Sequence, residues 1–125
     1  MTLVDTGPIV ALINRVDPLH DWAVAQTKIL PGPLLTSEPV LTEAFFLLAS
    51  SERATARLSD LLDAEVILAD VQLCPHFPRI GALMHKYRNV PMSFADALTR
   101  SVVGTGGRRS SLHPRFGFPH LPQER

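Results

Sequence analysis

Three short apolar runs, each followed by a long stretch of helical periodicity, constrain this chain more than any other feature. Thr2 to Thr6, Leu34-Leu35-Thr36 and Glu65 to Asp70 read as buried strands. Gly7-Pro8 suits a helix start, because proline at the first helical position gives up no hydrogen bond, and Ile9 to Asn14 continues it. Asp17-Pro18 restarts a helix whose stripe is Trp22, Ala23, Val24 and Ile29, and Pro31-Gly32-Pro33 stops it. Ser37 to Ser50 places Val40, Leu41, Ala44, Phe45, Leu47 and Leu48 at helical spacing, and Ser51 to Ala64 does the same with Ala54, Leu58, Leu61 and Leu62. Further helices are expected over Ile80 to Tyr87 and, after a break at Pro91, over Ser93 to Val103. Parallel neighbours need a crossover, which is usually helical, so the pattern predicts an α/β chain: a three-layer α/β/α sandwich around a mostly parallel sheet.

Composition narrows the class. At 125 residues with 46% hydrophobic content, one compact domain fits and two do not. No apolar run reaches the ~18 to 20 residues of a membrane helix, and no secretory pattern opens the chain, so a cytoplasmic protein with no membrane partner is expected. A single cysteine, Cys74, excludes an internal disulfide or a multi-thiolate zinc site. Twelve basic and twelve acidic side chains cancel, so a polyanion must be held by a local patch. After Val103 the sequence turns Gly-rich and polar, and then holds three prolines without usable periodicity. Residues 1 to 104 are therefore expected as the domain and 105 to 125 as an irregular tail.

In open α/β sheets ligands gather beyond the carboxyl ends of the strands, which singles out Asp5. It is equally well placed to cap the following helix. Glu43 has Val40 before it and Phe46 and Leu47 after it at helical spacing, so it sits on or beside an apolar face. A carboxylate there needs a compensating partner, either an arginine or a cation. Asp96 fits the third helical position of a capping box opened by Ser93. Taken as a set, three acids drawn together repel, and a divalent ion with oxygen preference, Mg²⁺ or Mn²⁺, relieves them. Such an ion beside a phosphodiester supports hydrolytic nuclease chemistry.

Three segments carry a family likeness: Leu3-Val4-Asp5-Thr6-Gly7, Thr36-Ser37-Glu38-Pro39-Val40-Leu41-Thr42-Glu43, and Lys86-Tyr87-Arg88-Asn89-Val90-Pro91-Met92-Ser93-Phe94-Ala95-Asp96-Ala97. Together they resemble a PIN-domain ribonuclease of the VapC toxin type, over Thr2 to about Val103. The resemblance implies a small α/β/α fold, Mg²⁺ or Mn²⁺ dependence, endonucleolytic cleavage of RNA, homodimerisation and inhibition by a cognate antitoxin protein. It carries the family's acids onto Asp5, Glu43 and Asp96, as metal ligands and catalytic residues, and its polar position after the first acid onto Thr6.

The family normally adds a fourth acid in a Thr-x-Asp-x-(Asp)-Phe stretch on a late strand, and this chain departs from that pattern. His113 to Gln123 can be encoded by codons that, read one nucleotide forward and continued by GAG for Glu124, spell Thr-Leu-Asp-Ser-Asp-Phe-Arg-Ile-Tyr-Arg-Lys. The expectation is a frameshift between about Ala97 and His113, with the late strand and fourth carboxylate lost and activity impaired. The competing reading is thus a PIN-fold protein that dimerises and binds an antitoxin but does not cut.

Other features weigh less. Asp5-Thr6-Gly7 also matches aspartic proteases, but those are nearly all β and this chain is dominated by helical periodicity. Cys74-Pro75-His76 lacks a second ligand pair at finger-like spacing and reads as a loop with a buried thiol. His20, His85, His113 and His120 are scattered, with His85 expected on a solvated helix face. Arg53, Arg57, Lys86, Arg88 and Arg100 suit a phosphate-binding face or ordinary solvated helices. Trp22 and the Phe45-Phe46 pair read as core or dimer interface before base-stacking platforms, and an exposed Phe46 would favour the interface.

Overall fold

The computed structural model describes residues 2–90, 93–105 and 110–112. Strand β1 (Thr2–Val4) is followed by helices α1 (Thr6–Ile13) and α2 (His20–Ile29), then by β2 (Leu34–Ser37), α3 (Glu38–Leu47) and α4 (Glu52–Asp63). Strand β3 (Ile67–Val71), one 3-10 turn (Cys74–His76), α5 (Phe77–Lys86), α6 (Phe94–Thr105) and β4 (Ser110–Leu112) complete the order. All pairings are parallel, in the spatial order β3-β2-β1-β4.

Strand side chains alternate between faces, and this splits the core into two layers. Val4, Leu34 and Ile67 point one way, against Ile9 and Ile13 of α1, Val40 and Ala44 of α3 and Leu58 of α4. Leu3 and Leu35 point the other way, against Ile80 of α5 and Leu98 and Val102 of α6. The α/β/α sandwich expected from the sequence is therefore present. Buried Thr36 stitches the two inner strands, its hydroxyl donating to the Val4 carbonyl at 3.0 Å.

Helix ends follow local chemistry. Ser37 caps α3 by accepting from the Val40 N–H, and Ser51 caps α4 by accepting from Ala54. Helix α5 starts at Phe77, three residues earlier than the apolar spacing indicated, because Pro78 is comfortable in a first turn. Helix α4 ends in a Schellman arrangement: Val66 N–H donates to the Leu61 carbonyl at 3.0 Å and Glu65 N–H to Leu62 at 3.1 Å, with Glu65 at φ 57°.

Several expectations are corrected. Strand β3 is not a buried strand: only Ile67 is fully covered, because β3 is an edge of the sheet. Ile29 and Leu47 leave the apolar stripes assigned to them and are exposed, each on a last helical turn with its side chain turned away from the core, while Leu48 beside Leu47 is buried. The tail is not irregular throughout. Helix α6 runs to Thr105, and Ser110–Leu112 form a strand in register with Thr2, Leu3 and Val4. A backbone ladder answers the unpaired N–H and C=O groups on that side of β1 and requires no side-chain periodicity. Residues 113–125, on which the expected frameshifted strand and fourth acid depend, lie outside the described residues. Among the described residues no helix is long and apolar enough to cross a membrane.

Candidate active site

The strand order reverses direction at β1: the chain moves from β1 outward through β2 to β3, then returns to the opposite side of β1 as β4. Crevices at such switch points, beyond the carboxyl ends of the strands, are where open α/β sheets place ligands. Asp5 stands there, directly after β1.

Asp5 caps α1, its Oδ1 accepting the Thr6 N–H at 2.8 Å. The buried Thr6 hydroxyl donates to Glu43 Oε2 at 2.8 Å, tying α1 to α3 across 37 positions of sequence. Glu43 is partly buried, with fully buried Val40 on one side and exposed Phe46 on the other. Among the described residues its partner is Thr6, and no arginine pairs with it as the alternative to a cation would require. Asp96 forms a reciprocal capping box: its Oδ2 accepts the Ser93 N–H at 3.2 Å, while its own N–H donates to Ser93 Oγ at 3.1 Å. The capping roles open to Asp5 and Asp96 are both real, and each occupies one carboxylate oxygen.

The three acids feel one another. The Asp5 carboxyl is pushed up to about 7, first by burial, then by the charge of Asp96, with a hydrogen bond that protonated Asp5 donates to Asp96 and the charge of Glu43 adding and the Thr6 amide opposing. Near neutral pH Asp5 therefore holds a proton much of the time, which lets Asp5 and Asp96 share a hydrogen bond where two carboxylates would repel. Among the described residues no three acidic, histidine or cysteine side chains stand grouped as a ready ion cage. The donor chemistry nevertheless suits a hard divalent cation: three carboxylates and one hydroxyl, all oxygen, with a raised pKa that positive charge would reverse.

Other sequence candidates are placed differently. Cys74 is exposed, not buried, because the 3-10 turn that carries it lies at the surface. His76 Nδ1 sits 3.1 Å from the buried Ser101 hydroxyl, and His20 Nδ1 is 2.8 Å from the Ala11 carbonyl, so both imidazoles are structural ties. His85 lies exposed at the end of α5, as expected. Arg53 and Arg57 are exposed on α4, Lys86 lies over the Tyr87 ring at 5.3 Å, and the Arg88 guanidinium donates to the His85 carbonyl at 3.1 Å. Trp22 and Phe45 pack against the core, whereas Phe46 is 78% exposed. The sequence did not reveal that Thr6 reaches Glu43; position 6 was singled out, as a catalytic residue helping to orient the site, by the family resemblance.

No protein-family model and no curated protein matches this chain. Among solved structures it is similar to VapC20 of Mycobacterium tuberculosis, described as a sarcin-ricin loop cleaving toxin, with a TM-score of 0.73. The two are 24% identical over 83% of this chain and 82% of that one. A likeness of that extent, on a parallel sheet with helices on both faces, shows that this chain shares the fold of VapC20, the α/β/α PIN fold that its sequence motifs resemble.

Proposed function

We propose that this chain is a metal-dependent endoribonuclease toxin of the VapC type, hydrolysing RNA phosphodiester bonds with Mg²⁺ or Mn²⁺ held by Asp5, Glu43 and Asp96. One observation carries the reading: Asp5 is buried at the carboxyl end of β1 with the charges of Asp96 and, more weakly, Glu43 acting on it, and its carboxyl is lifted to about 7 by that burial first and by the neighbouring acids second. Folding pressure alone does not favour such a cluster, since each carboxylate raises the cost of the next. The shared fold with VapC20 supports the RNA-cleaving assignment.

Within that reading each residue has a distinct task. A divalent ion bound there supplies positive charge against the charge that develops on a phosphodiester during hydrolysis. Thr6 holds Glu43 in one rotamer through its 2.8 Å bond. Ser93 does the same for Asp96 through the capping box. Asp5, rigid at the junction of β1 and α1, anchors the centre of the site. In this reading the protein works in the cytoplasm, forms a homodimer and is restrained by a cognate antitoxin protein; exposed Leu47 and Phe77 supply apolar surface for such contacts.

The test is cleavage of RNA by purified protein with Mg²⁺ or Mn²⁺, compared with Asp5→Asn and with chelator. Cleavage lost in both controls supports the nuclease. Absence of cleavage by the unmodified chain, together with tight capture of an antitoxin, establishes the competing binding role.

A further inference from the structure

We infer that the groove beside Glu43 receives one unstacked nucleobase of the RNA whose adjoining phosphate lies at Asp5, Glu43 and Asp96; this rests on the nuclease reading above. The groove is open and mainly apolar, about 480 Å³ in volume, and is bounded by Pro39, Thr42, Glu43, Phe46, Ser93 and Phe94. That volume lies within the usual range for small-ligand sites.

Its walls and the acid cluster have common supports. Phe46 projects from α3 one turn beyond Glu43, on the same side of the helix. Phe94 opens α6 two residues before Asp96, and packs partly against the core while still lining the groove. Glu43 belongs to both the groove and the acid cluster. A base is joined to its phosphate through a single sugar, so a phosphate held at the acids brings its own base to this apolar surface.

The chemistry of the wall favours a base over an aliphatic side chain. The 78% exposure of Phe46 by itself fits the interface between copies expected from the sequence; its place one turn from Glu43 in the same groove is what favours a base, which can stack on an aromatic face irrespective of sequence. Stacking of this kind needs a base released from its neighbours, so the groove selects loops and single strands over continuous duplex. An exposed aromatic at the edge of an acid cluster thereby becomes a substrate-binding element, with Phe46 as its principal contact.

The experiment uses the full chain and a single-stranded RNA of random sequence carrying 2-aminopurine. Binding is read by fluorescence quenching with cleavage-deficient Asp5→Asn in Mg²⁺, and cleavage is read with the unmodified chain. Phe46→Ala in each background is expected to weaken binding and kcat/KM by about tenfold to a hundredfold, and Phe46→Trp to restore both. Thermal stability should stay unchanged, because Phe46 is exposed. If the unmodified chain cuts no RNA while quenching still depends on Phe46, the base subsite stands and the nuclease reading falls. If RNA is cut with equal efficiency by Phe46→Ala, the subsite falls and the nuclease reading stands. A shift from dimer to monomer in Phe46→Ala by light scattering, with RNA affinity unaltered, would assign the groove to a second copy and overturn the proposal.

Discussion

The Thr6 hydroxyl lies 2.8 Å from Glu43 Oε2 and donates to it, joining the first turn of α1 to the middle of α3. Replacing Thr6 by Val keeps the side-chain shape and removes the donor, so Glu43 loses its orienting contact. RNA cleavage and Mg²⁺ affinity should both fall by about 10- to 100-fold, the usual consequence of losing an outer hydrogen bond to a metal ligand. Thr6→Ser, which keeps the hydroxyl, should recover most of both, as measured by cleavage rate and by metal titration.

Stability in chelator should fall as pH rises from about 4 to about 7. Asp5 has its carboxyl raised from an ordinary 3.8 to about 7 by folding, so across that window the native state binds a proton that the unfolded chain has released. The stabilising contribution is complete below the unfolded value and is lost as pH passes the folded one. Asp5→Asn should flatten this slope and raise the stability of the metal-free protein above pH 7, by on the order of 2 kcal/mol after allowance for partial solvent screening. Denaturant melts at several pH values decide the matter; an unchanged slope in Asp5→Asn would remove Asp5 as its source.

Adding Mg²⁺ should act in the opposite sense. At a hundred times its dissociation constant a ligand specific to the native state stabilises by about 2.7 kcal/mol, enough to raise the Tm of a small domain by several degrees. Asp5→Asn should show a higher Tm than the unmodified chain in EDTA and a smaller increment when Mg²⁺ is added. Equal increments in the two proteins would exclude Asp5 from the ion site.

Glu65 occupies the left-handed position that ends α4, at φ 57°. Non-glycine residues pay roughly 1–2 kcal/mol there, and glycine is the usual occupant. Glu65→Gly should therefore stabilise the protein by about 1 kcal/mol without altering cleavage, since the α4 terminus is remote in sequence from the acids and carries none of their contacts. A drop in the urea midpoint would contradict this account.

The layer architecture was legible because its signals are local and redundant. Leu3 and Val4, or Leu34 and Leu35, are adjacent apolar residues that can be buried together only when both faces of a strand are covered. Helix starts at Ser37, Ser51 and Ser93 were marked by capping chemistry within a few residues. Where a prediction needed to know what lay opposite a segment, it failed: β3 proved to be an edge, Ile29 and Leu47 point to solvent, and Cys74 is exposed. Strand β4 carries no periodicity at all, because backbone pairing with β1 specifies it.

The candidate site divides along the same line. Asp5 after an apolar strand, Glu43 between apolar helical positions and Asp96 three residues beyond Ser93 are each visible in the linear chain, since each depends on near neighbours. Their convergence is not, because parallel crossovers bring together residues separated by 38 to 91 positions, and the order in which strands pack is an outcome of the whole core. The bond from Thr6 to Glu43, the pressure of the Asp96 charge on buried Asp5, and the groove between Phe46 and Phe94 all arise at that level. Electrostatic repulsion depends on distance through space, and distance through space is what folding sets.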